Sequence, residues 1–559
     1  MKGFVKEEDS SSFGRMLFFV LLLVFGLGAI FARFFTIIAI EGERYQKLSS
    51  GNRIREIKIT APRGIIYDRN QTALVRNIPV FVSEDNERFF EEMPASYSAK
   101  LREDVGRDYV FSDLFAHILG YIGEIDERDM EGNPGYKSGD IIGKSGIEKE
   151  YDRILRGIDG KELVEVDALG QLVRTLGKVP PNIGKNITLT VDIELQKKVA
   201  EVLGEKMGAV VVQNPVDGAI LALYSSPSFD PNKLVQGINI SGIFNNEKMP
   251  LFNRAITGQY PPGSIFKILS ALAALETGAI SKETRIEDIG VLTVGKFSFG
   301  NWYFSQYGKT DGFLNVVGAI KRSNDIFFYK VGEAIGIKKL ADWVKKYSYV
   351  GVPTGVDLPD EAKGLMPDPL WQKETKGEDW YLGNTYHVAI GQGDLLATPL
   401  QVNSWTNIIA NNGKLCRPHI AMDDTPGERR GKCKDLEIKK ENIALVREGM
   451  RQACTTGGTG TPLFDFTVEN ESLTIDGVDF LKPVESTISA KKRVEIPVGC
   501  KTGTAEFGTV KGKSHAWFTI FAPFVHPQIS ITVLVEGGGE GSTVAAPIAK
   551  KILEKWFSL

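Results

Sequence analysis

Ser264 and Lys267 stand three residues apart in Tyr260-Pro261-Pro262-Gly263-Ser264-Ile265-Phe266-Lys267. A Pro-Pro-Gly turn there runs into an apolar stretch, residues 265–277, closed by Gly278. A helix through that stretch puts both side chains on one face, about one turn apart. A serine hydroxyl becomes a useful nucleophile only when a base takes its proton. A lysine held out of water can be neutral enough to take it. The helix N-terminus adds free N–H groups and a positive dipole end, which favour a developing oxyanion. The plainer reading is a helix cap, the usual role of serine ahead of an apolar helix. A full capping box is absent, because Lys267 stands where Glu or Gln belongs. Spacing alone decides little, since Ser489-Ala490-Lys491-Lys492 repeats the pattern.

Two further patterns carry chemistry. Ser323-Asn324-Asp325 lies between a helical run at residues 313–320 and apolar residues 326–329. Alone it reads as a cap or turn. Lys501-Thr502-Gly503-Thr504 lies on a strand pattern, residues 498–507. A glycine inside a strand marks close approach of a ligand or another backbone. A cation flanked by two threonine hydroxyls suits a carboxylate. Alone, it is an ordinary strand edge with a surface lysine.

The elements that would position these groups follow from periodicity. Residues 193–203 read as a helix, and residues 208–213 and 219–224 as strands joined by the hairpin signal Asn214-Pro215-Val216-Asp217-Gly218. Residues 498–507, 515–524 and 529–536 read as three antiparallel strands, and 543–557 as a covering helix. Strands at both ends of a helical middle give an α+β domain, an antiparallel sheet flanked by helices, over residues 186–559.

Ahead of it, residues 16–40 are apolar enough to cross a bilayer, interrupted by Thr36 and by Arg33, which can snorkel. The core is too long for a cleaved signal peptide, so an uncleaved anchor follows a polar tail, residues 1–15. Charge before the span is mixed, Lys2, Lys6 and Arg15 against Glu7, Glu8 and Asp9, so orientation is only suggested. Residues 41–185 read as a non-catalytic α+β pedestal. Two of its stretches exceed a linker, Arg63-Gly64-Ile65-Ile66-Tyr67-Asp68-Arg69-Asn70 and Gly143-Lys144-Ser145-Gly146-Ile147-Glu148-Lys149-Glu150-Tyr151. Their charges are expected to form solvated faces and structural ion pairs.

With 559 residues and a net charge of −3, nothing points to nucleic acid. The four cysteines, Cys416, Cys433, Cys454 and Cys500, have no zinc-site spacing. Cys416 and Cys433 flank one polar segment and either pair or stay as free thiols.

Taken together and in order, Ser264/Lys267, Ser323 and Lys501-Thr502-Gly503 match the signature of penicillin-binding proteins and class A β-lactamases. The chain resembles a class B penicillin-binding protein, most closely the elongation type called penicillin-binding protein 2. Further likeness lies in Arg63 to Asn70, Gly146-Ile147-Glu148, Trp380-Tyr381-Leu382-Gly383-Asn384-Thr385, Ile390-Gly391-Gln392-Gly393, Ala397-Thr398-Pro399-Leu400-Gln401 and His515-Ala516-Trp517-Phe518. It runs over nearly the whole chain and is weakest between residues 79 and 113, where the pedestal looks shortened. One departure is Asp325, where many relatives have Asn.

The resemblance implies a serine acyl-enzyme without a cofactor. Ser264 would be the acylated nucleophile and Lys267 its base, with Ser323 and Lys501 moving protons. Asp325, Thr502, Gly503 and Thr504 would bind substrate, and the backbone N–H groups of Ser264 and Thr504 would form an oxyanion hole. Some elongation-type relatives carry a metal beside the site. The matching stretch offers Asp288, Asn301, Tyr307 and Asn324, a poor zinc set, so no metal is expected. Implied partners are stem peptides ending in D-Ala-D-Ala, β-lactams, the lipid bilayer and a membrane glycosyltransferase of the elongation complex. The implied place is the bacterial cytoplasmic membrane, single-pass, with the catalytic domain outside. Competing readings are a septal transpeptidase, a D,D-carboxypeptidase or β-lactamase of the same fold, and a non-catalytic β-lactam sensor or scaffold.

Overall fold

The computed structural model describes residues 10–83, 88–90, 102–167, 172–422, 431–469, 483–484, 493–507 and 513–558. Most of the expected N-terminal tail, part of the stretch that looks shortened, and the second Ser-x-x-Lys match at Ser489 to Lys492 lie outside the described residues.

The chain divides into two compact units, residues 1–62 with 157–183, and residues 63–156 with 184–559. The expected pedestal stretch therefore contributes to both. The first unit holds the apolar helix Ser10–Phe35, which continues through a wider π turn, Thr36–Ile40, before the helix Gly42–Arg53. Residues 13–40 form one helix long and apolar enough to cross a membrane. The rest of this unit is an antiparallel sheet with Gly160–Val166 between Ile54–Ile59 and Leu172–Val179.

The second unit is built around a five-stranded antiparallel sheet. Its strands are β1 (Gly208–Gln213), β2 (Ile220–Ser226), β3 (Gly499–Glu506), β4 (Ser514–Ala522) and β5 (Ile529–Val535), in the order β2-β1-β5-β4-β3. The central strands are buried on both faces, and alternate side chains enter different cores. Phe518 and Ile520 pack with Leu195, Val199, Ile552 and Leu553, from the helices Ile193–Leu203 and Ala546–Ser558. Trp517 and Phe521 face the opposite core, with Phe266, Leu269, Leu272 and Trp405. A period-two strand can have both faces apolar only when each is covered, which is why these strands read as near-continuous apolar runs.

Two expected boundaries shift. The run at residues 313–320 is not one helix: Gly312–Leu314 is a short strand and the helix is Val316–Arg322, capped by the Asn315 side chain on the Gly318 N–H. The apolar run after the Pro-Pro-Gly turn begins as a tight 3-10 turn, Gly263–Phe266, and becomes α-helical at Lys267–Glu276. Residues from Lys267 to Leu275 are all buried, so this helix is apolar all round because it is a core element.

Both cysteine pairs are bridged, Cys416 to Cys433 and Cys454 to Cys500. The second bridge joins the residue after the helix Lys440–Ala453 to the residue before Lys501.

Candidate active site

The 3-10 turn joins Ser264 to Lys267 through the backbone, the Lys267 N–H donating to the Ser264 carbonyl. With three residues per turn, positions i and i+3 stack one above the other. Ser264 does not cap the helix: Pro262 holds the cap position and no side chain caps it. Among the described residues no protein group bonds the Ser264 hydroxyl, and the residue is half-buried. The turn is clamped by close backbone approach. The Gly263 N–H donates to the Gly391 carbonyl at 2.9 Å, and a Cβ on Gly391 would lie 2.0 Å from the Gly263 oxygen. On the other side β3 presses in, where a Cβ on Gly503 would lie 2.9 Å from Ile265 Cγ1. The glycine within the strand pattern thus marks close approach of the strand to the turn that carries Ser264.

Ser323 ends the helix Val316–Arg322 in the left-handed region, with φ of 53°. That conformation costs a non-glycine residue about 1–3 kcal/mol and persists only where its surroundings fix it. Here it aims both oxygens of Ser323 at two lysines. Lys267 Nζ donates to the Ser323 carbonyl at 2.7 Å and lies 3.4 Å from Ser323 Oγ. Lys501 Nζ donates to the same hydroxyl at 2.7 Å and to the Thr502 carbonyl at 2.8 Å. Both lysines are fully buried.

Their surroundings differ. Lys267 Nζ also donates to Asp325 Oδ1 at 2.6 Å. Burial lowers the Lys267 pKa from the ordinary lysine value, and the Asp325 carboxylate partly opposes it. Among the described residues Lys501 has no carboxylate of its own. Burial and then the nearby Lys267 charge hold its pKa well below the usual value, with Asp325 a weaker opposing influence. Two amines, one carboxylate and one hydroxyl thus meet in one hydrogen-bonded cluster with two basic groups to one acid.

Asp325 is expected from its motif to bind substrate. Both its carboxylate oxygens have a partner within the protein, Oδ1 to Lys267 and Oδ2 to the Trp302 N–H at 3.0 Å. The central Asn324 does cap the following helix, accepting from the Phe327 N–H at 2.9 Å. On β3, the buried Thr502 hydroxyl donates to Thr459 Oγ1 at 2.8 Å, and Thr504 is exposed. Thr504 Oγ1 faces the Gly541 N–H at 3.4 Å, and its carbonyl accepts from Gln392 Nε2 at 3.2 Å. Ser264, Lys267, Ser323, Lys501 and Asp325 are thereby tied into one cluster of elements, with Thr502, Gly503 and Thr504 along its edge.

The stretch that matches a metal site in some relatives does not fit one. The amide nitrogens of Asn301 and Asn324 both donate to Asp288 Oδ2, at 2.8 and 2.9 Å, so the donor set is turned inward. Tyr307 is exposed. Among the described residues no group of three or more His, Cys, Asp or Glu side chains could hold a metal ion.

The penicillin-binding protein transpeptidase domain matches residues 208–554, more than half of the chain, and the penicillin-binding protein dimerisation domain matches residues 82–189. The peptidoglycan D,D-transpeptidase MrdA of Haemophilus influenzae is 31% identical over 99% of this chain and 93% of its own length. The chain belongs to the class B penicillin-binding proteins, in the elongation group called penicillin-binding protein 2. Penicillin-binding protein 2 of Helicobacter pylori, in complex with MreC, superimposes with a TM-score of 0.74 at 29% identity, covering 90% of this chain and 98% of that one. The Pseudomonas aeruginosa protein, in complex with WCK 5153, gives 0.71 at 31% identity, covering 90% and 96%.

For a class B penicillin-binding protein, sequence reasoning leaves out two contributors. Thr459, which bonds Thr502, sits in a Gly/Thr-rich run, Thr455-Thr456-Gly457-Gly458-Thr459-Gly460, whose composition was the available signal. Trp302, whose backbone holds Asp325, carries no local signal at all.

Proposed function

We propose that this chain is a peptidoglycan D,D-transpeptidase of cell-wall elongation that works through a Ser264 acyl-enzyme. The observation that carries the reading is the convergence of Lys267 and Lys501 on the Ser323 hydroxyl, with Lys267 one 3-10 turn on from Ser264. Lys501, more strongly driven to the neutral form, takes a proton from Lys267 through Ser323 Oγ, which accepts from one amine and donates to the other. Neutral Lys267 then takes the Ser264 proton as Oγ attacks the carbonyl of the penultimate D-alanine of a stem peptide. The N–H groups of Ser264 and Thr504 hold the oxyanion. The proton returns to the leaving D-alanine amine, and an acceptor amine from a second stem reverses the sequence to form the cross-link. Thr502, Gly503 and Thr504 shape the edge that receives the terminal carboxylate, with Thr504 the exposed hydroxyl. Asp325 serves as the counter-ion of Lys267. General base catalysis contributes about 10²–10⁴-fold and an oxyanion donor about 10²–10³-fold.

The same reading makes residues 16–40 an uncleaved anchor in the cytoplasmic membrane, residues 41–185 a pedestal and residues 186–559 the extracytoplasmic transpeptidase domain. The relative in complex with MreC, and a similar chain from work on a peptidoglycan synthase complex that coordinates polymerization and crosslinking, support partners in the elongation machinery, a membrane glycosyltransferase among them.

The test is intact-mass analysis of the detergent-solubilised chain with a labelled penicillin. A long-lived adduct that is lost in Ser264→Ala is expected. Rapid turnover would make the protein a β-lactamase, and no adduct would end the serine reading. Cross-linking of natural stem peptides then separates transpeptidase from carboxypeptidase.

A further inference from the structure

Beside the catalytic groups lies a carboxylate that the mechanism does not use. Asp288 ends the short strand Ile286–Asp288 and is 3% exposed. A hairpin follows, Val291–Val294 against Phe297–Gly300, and returns the chain to Asn301. Asp288 closes the base of that hairpin. Its Oδ1 accepts from the Gly290 N–H at 2.9 Å. Its Oδ2 accepts from Asn301 Nδ2 at 2.8 Å, Asn324 Nδ2 at 2.9 Å and the Asp311 N–H at 2.9 Å. Such saturation fixes which way both amides point, because turning either would set its carbonyl oxygen against the carboxylate.

Each amide, so oriented, presents its oxygen to the catalytic turn. Asn301 Oδ1 accepts from the Asp325 N–H at 3.1 Å, and Asn324 Oδ1 accepts from the Phe327 N–H at 2.9 Å. The next residue after Asn301 supplies the N–H that holds Asp325 Oδ2. An outer tie completes the knot: Asn324 Nδ2 reaches Asp311 Oδ2 at 3.2 Å, and Arg322 Nε donates to Asp311 Oδ1 at 2.8 Å.

We infer that Asp288 is the positioning residue of this site: through Asn301 and Asn324 it fixes the turn that presents Asp325 and Ser323 to Lys267. The knot does with hydrogen bonds what a bound cation would otherwise do, and its carboxylate lone pairs are already occupied by donors. Asp288 touches neither substrate nor reacting atoms. Its effect is on the acylation step, because a small misplacement of a catalytic group costs about 10²-fold in rate. The inference rests on the proposed Ser264 acylation with Lys267 as base.

The experiment resolves penicillin acylation of the full-length chain in detergent into binding and acylation, per folded molecule. Asp288→Asn is expected to slow acylation about 10²-fold while binding changes by less than about threefold. The exchanged pair Asp288→Asn with Asn301→Asp restores a carboxylate facing an amide and is expected to recover about tenfold of that loss. Asn301→Ser, a milder change to the same knot, is expected to slow acylation about tenfold and serves if Asp288→Asn does not fold. Wild-type acylation per folded molecule in Asp288→Asn or Asn301→Ser, or binding and acylation falling together with no recovery in the exchanged pair, would overturn the inference. If the wild-type chain itself forms no adduct, the proposed function fails instead. Added zinc is expected to leave every variant unchanged, and restoration of Asn301→Ser by zinc would also overturn the knot.

Discussion

Two clusters of buried charge in this protein are built to opposite ends. In the first, Arg63 and Arg107 share the two oxygens of Glu148, each at 2.7 Å, and Arg63 also pairs with Asp152 at 2.9 Å. Burial alone would push the Glu148 pKa up, but Arg107 and Arg63 outweigh it and hold it below the ordinary glutamate value. Burial would likewise weaken the Arg63 charge, and Glu148 and Asp152 outweigh it. Two cations meet two anions, and guanidinium groups do not give up protons. The second cluster puts Lys267 and Lys501 around Asp325 alone. Two cations meet one anion, the cations are amines, and both are driven toward losing a proton. Balance with arginine makes a lock. On the proposed mechanism, imbalance with lysine makes a proton store. The sequence anticipates solvated faces and structural ion pairs in the pedestal without naming partners; Arg63 and Glu148 turn out buried and paired, and the difference between the clusters is already present in the choice of cation.

That contrast can be broken deliberately. Lys267→Arg keeps the charge and its carboxylate partner but removes the transferable proton, so penicillin acylation should fall about 10³-fold with little loss of folding, as read by stopped-flow fluorescence. A variant retaining a tenth of the wild-type rate would mean that Lys267 need not be neutral. In the lock, Glu148→Gln leaves two buried guanidinium groups short of an anion. It should cost about 3–5 kcal/mol in denaturant unfolding while acylation per folded molecule is unchanged.

The pH responses should also separate. The lysine pKa values are lowered on folding, so the folded chain holds protons less tightly than the unfolded one. That stability contribution grows as pH rises through the lowered values and is complete only above the ordinary 10.5, and the acylation rate climbs with it. Glu148 follows the same sign in a lower window: its contribution is present above the ordinary 4.5 and lost as pH falls through its lowered value. An acylation rate that falls between neutral pH and pH 9 would contradict the proton store. The smallest effect is expected for Arg107→Lys, which loses the fork to Glu148 and Asn77 but keeps a charge, at about 1–2 kcal/mol.

What the sequence makes legible is local. The helix Ile193–Leu203, the strand Gly208–Gln213 and the three C-terminal strands are readable because each carries its own period or turn. The three motifs are readable because each is a short run. What stays hidden is set by distance along the chain. Asp325 reads as a substrate ligand until the fold brings Lys267 and Trp302 to its two oxygens. Asp288 reads only as one of a poor set of zinc donors until a hairpin returns Asn301 beside it. The bridge from Cys454 to Cys500 could not be read because four cysteines allow three pairings. Ser264 reads as a cap because serine usually is one, and the tighter turn moves the cap position back to Pro262.

The glycines that wall in the nucleophile turn have a consequence for inheritance under antibiotic pressure. At Gly391 an added methyl would meet backbone oxygen at 2.0 Å, and at Gly503 it would meet two side chains at 2.9 Å. On the proposed function, a single substitution at either place is expected to displace Ser264 from the natural stem peptide and from a β-lactam alike. On the proposed function, the room left for tolerated change is at the exposed Thr504 side chain, at the rim rather than in the wall.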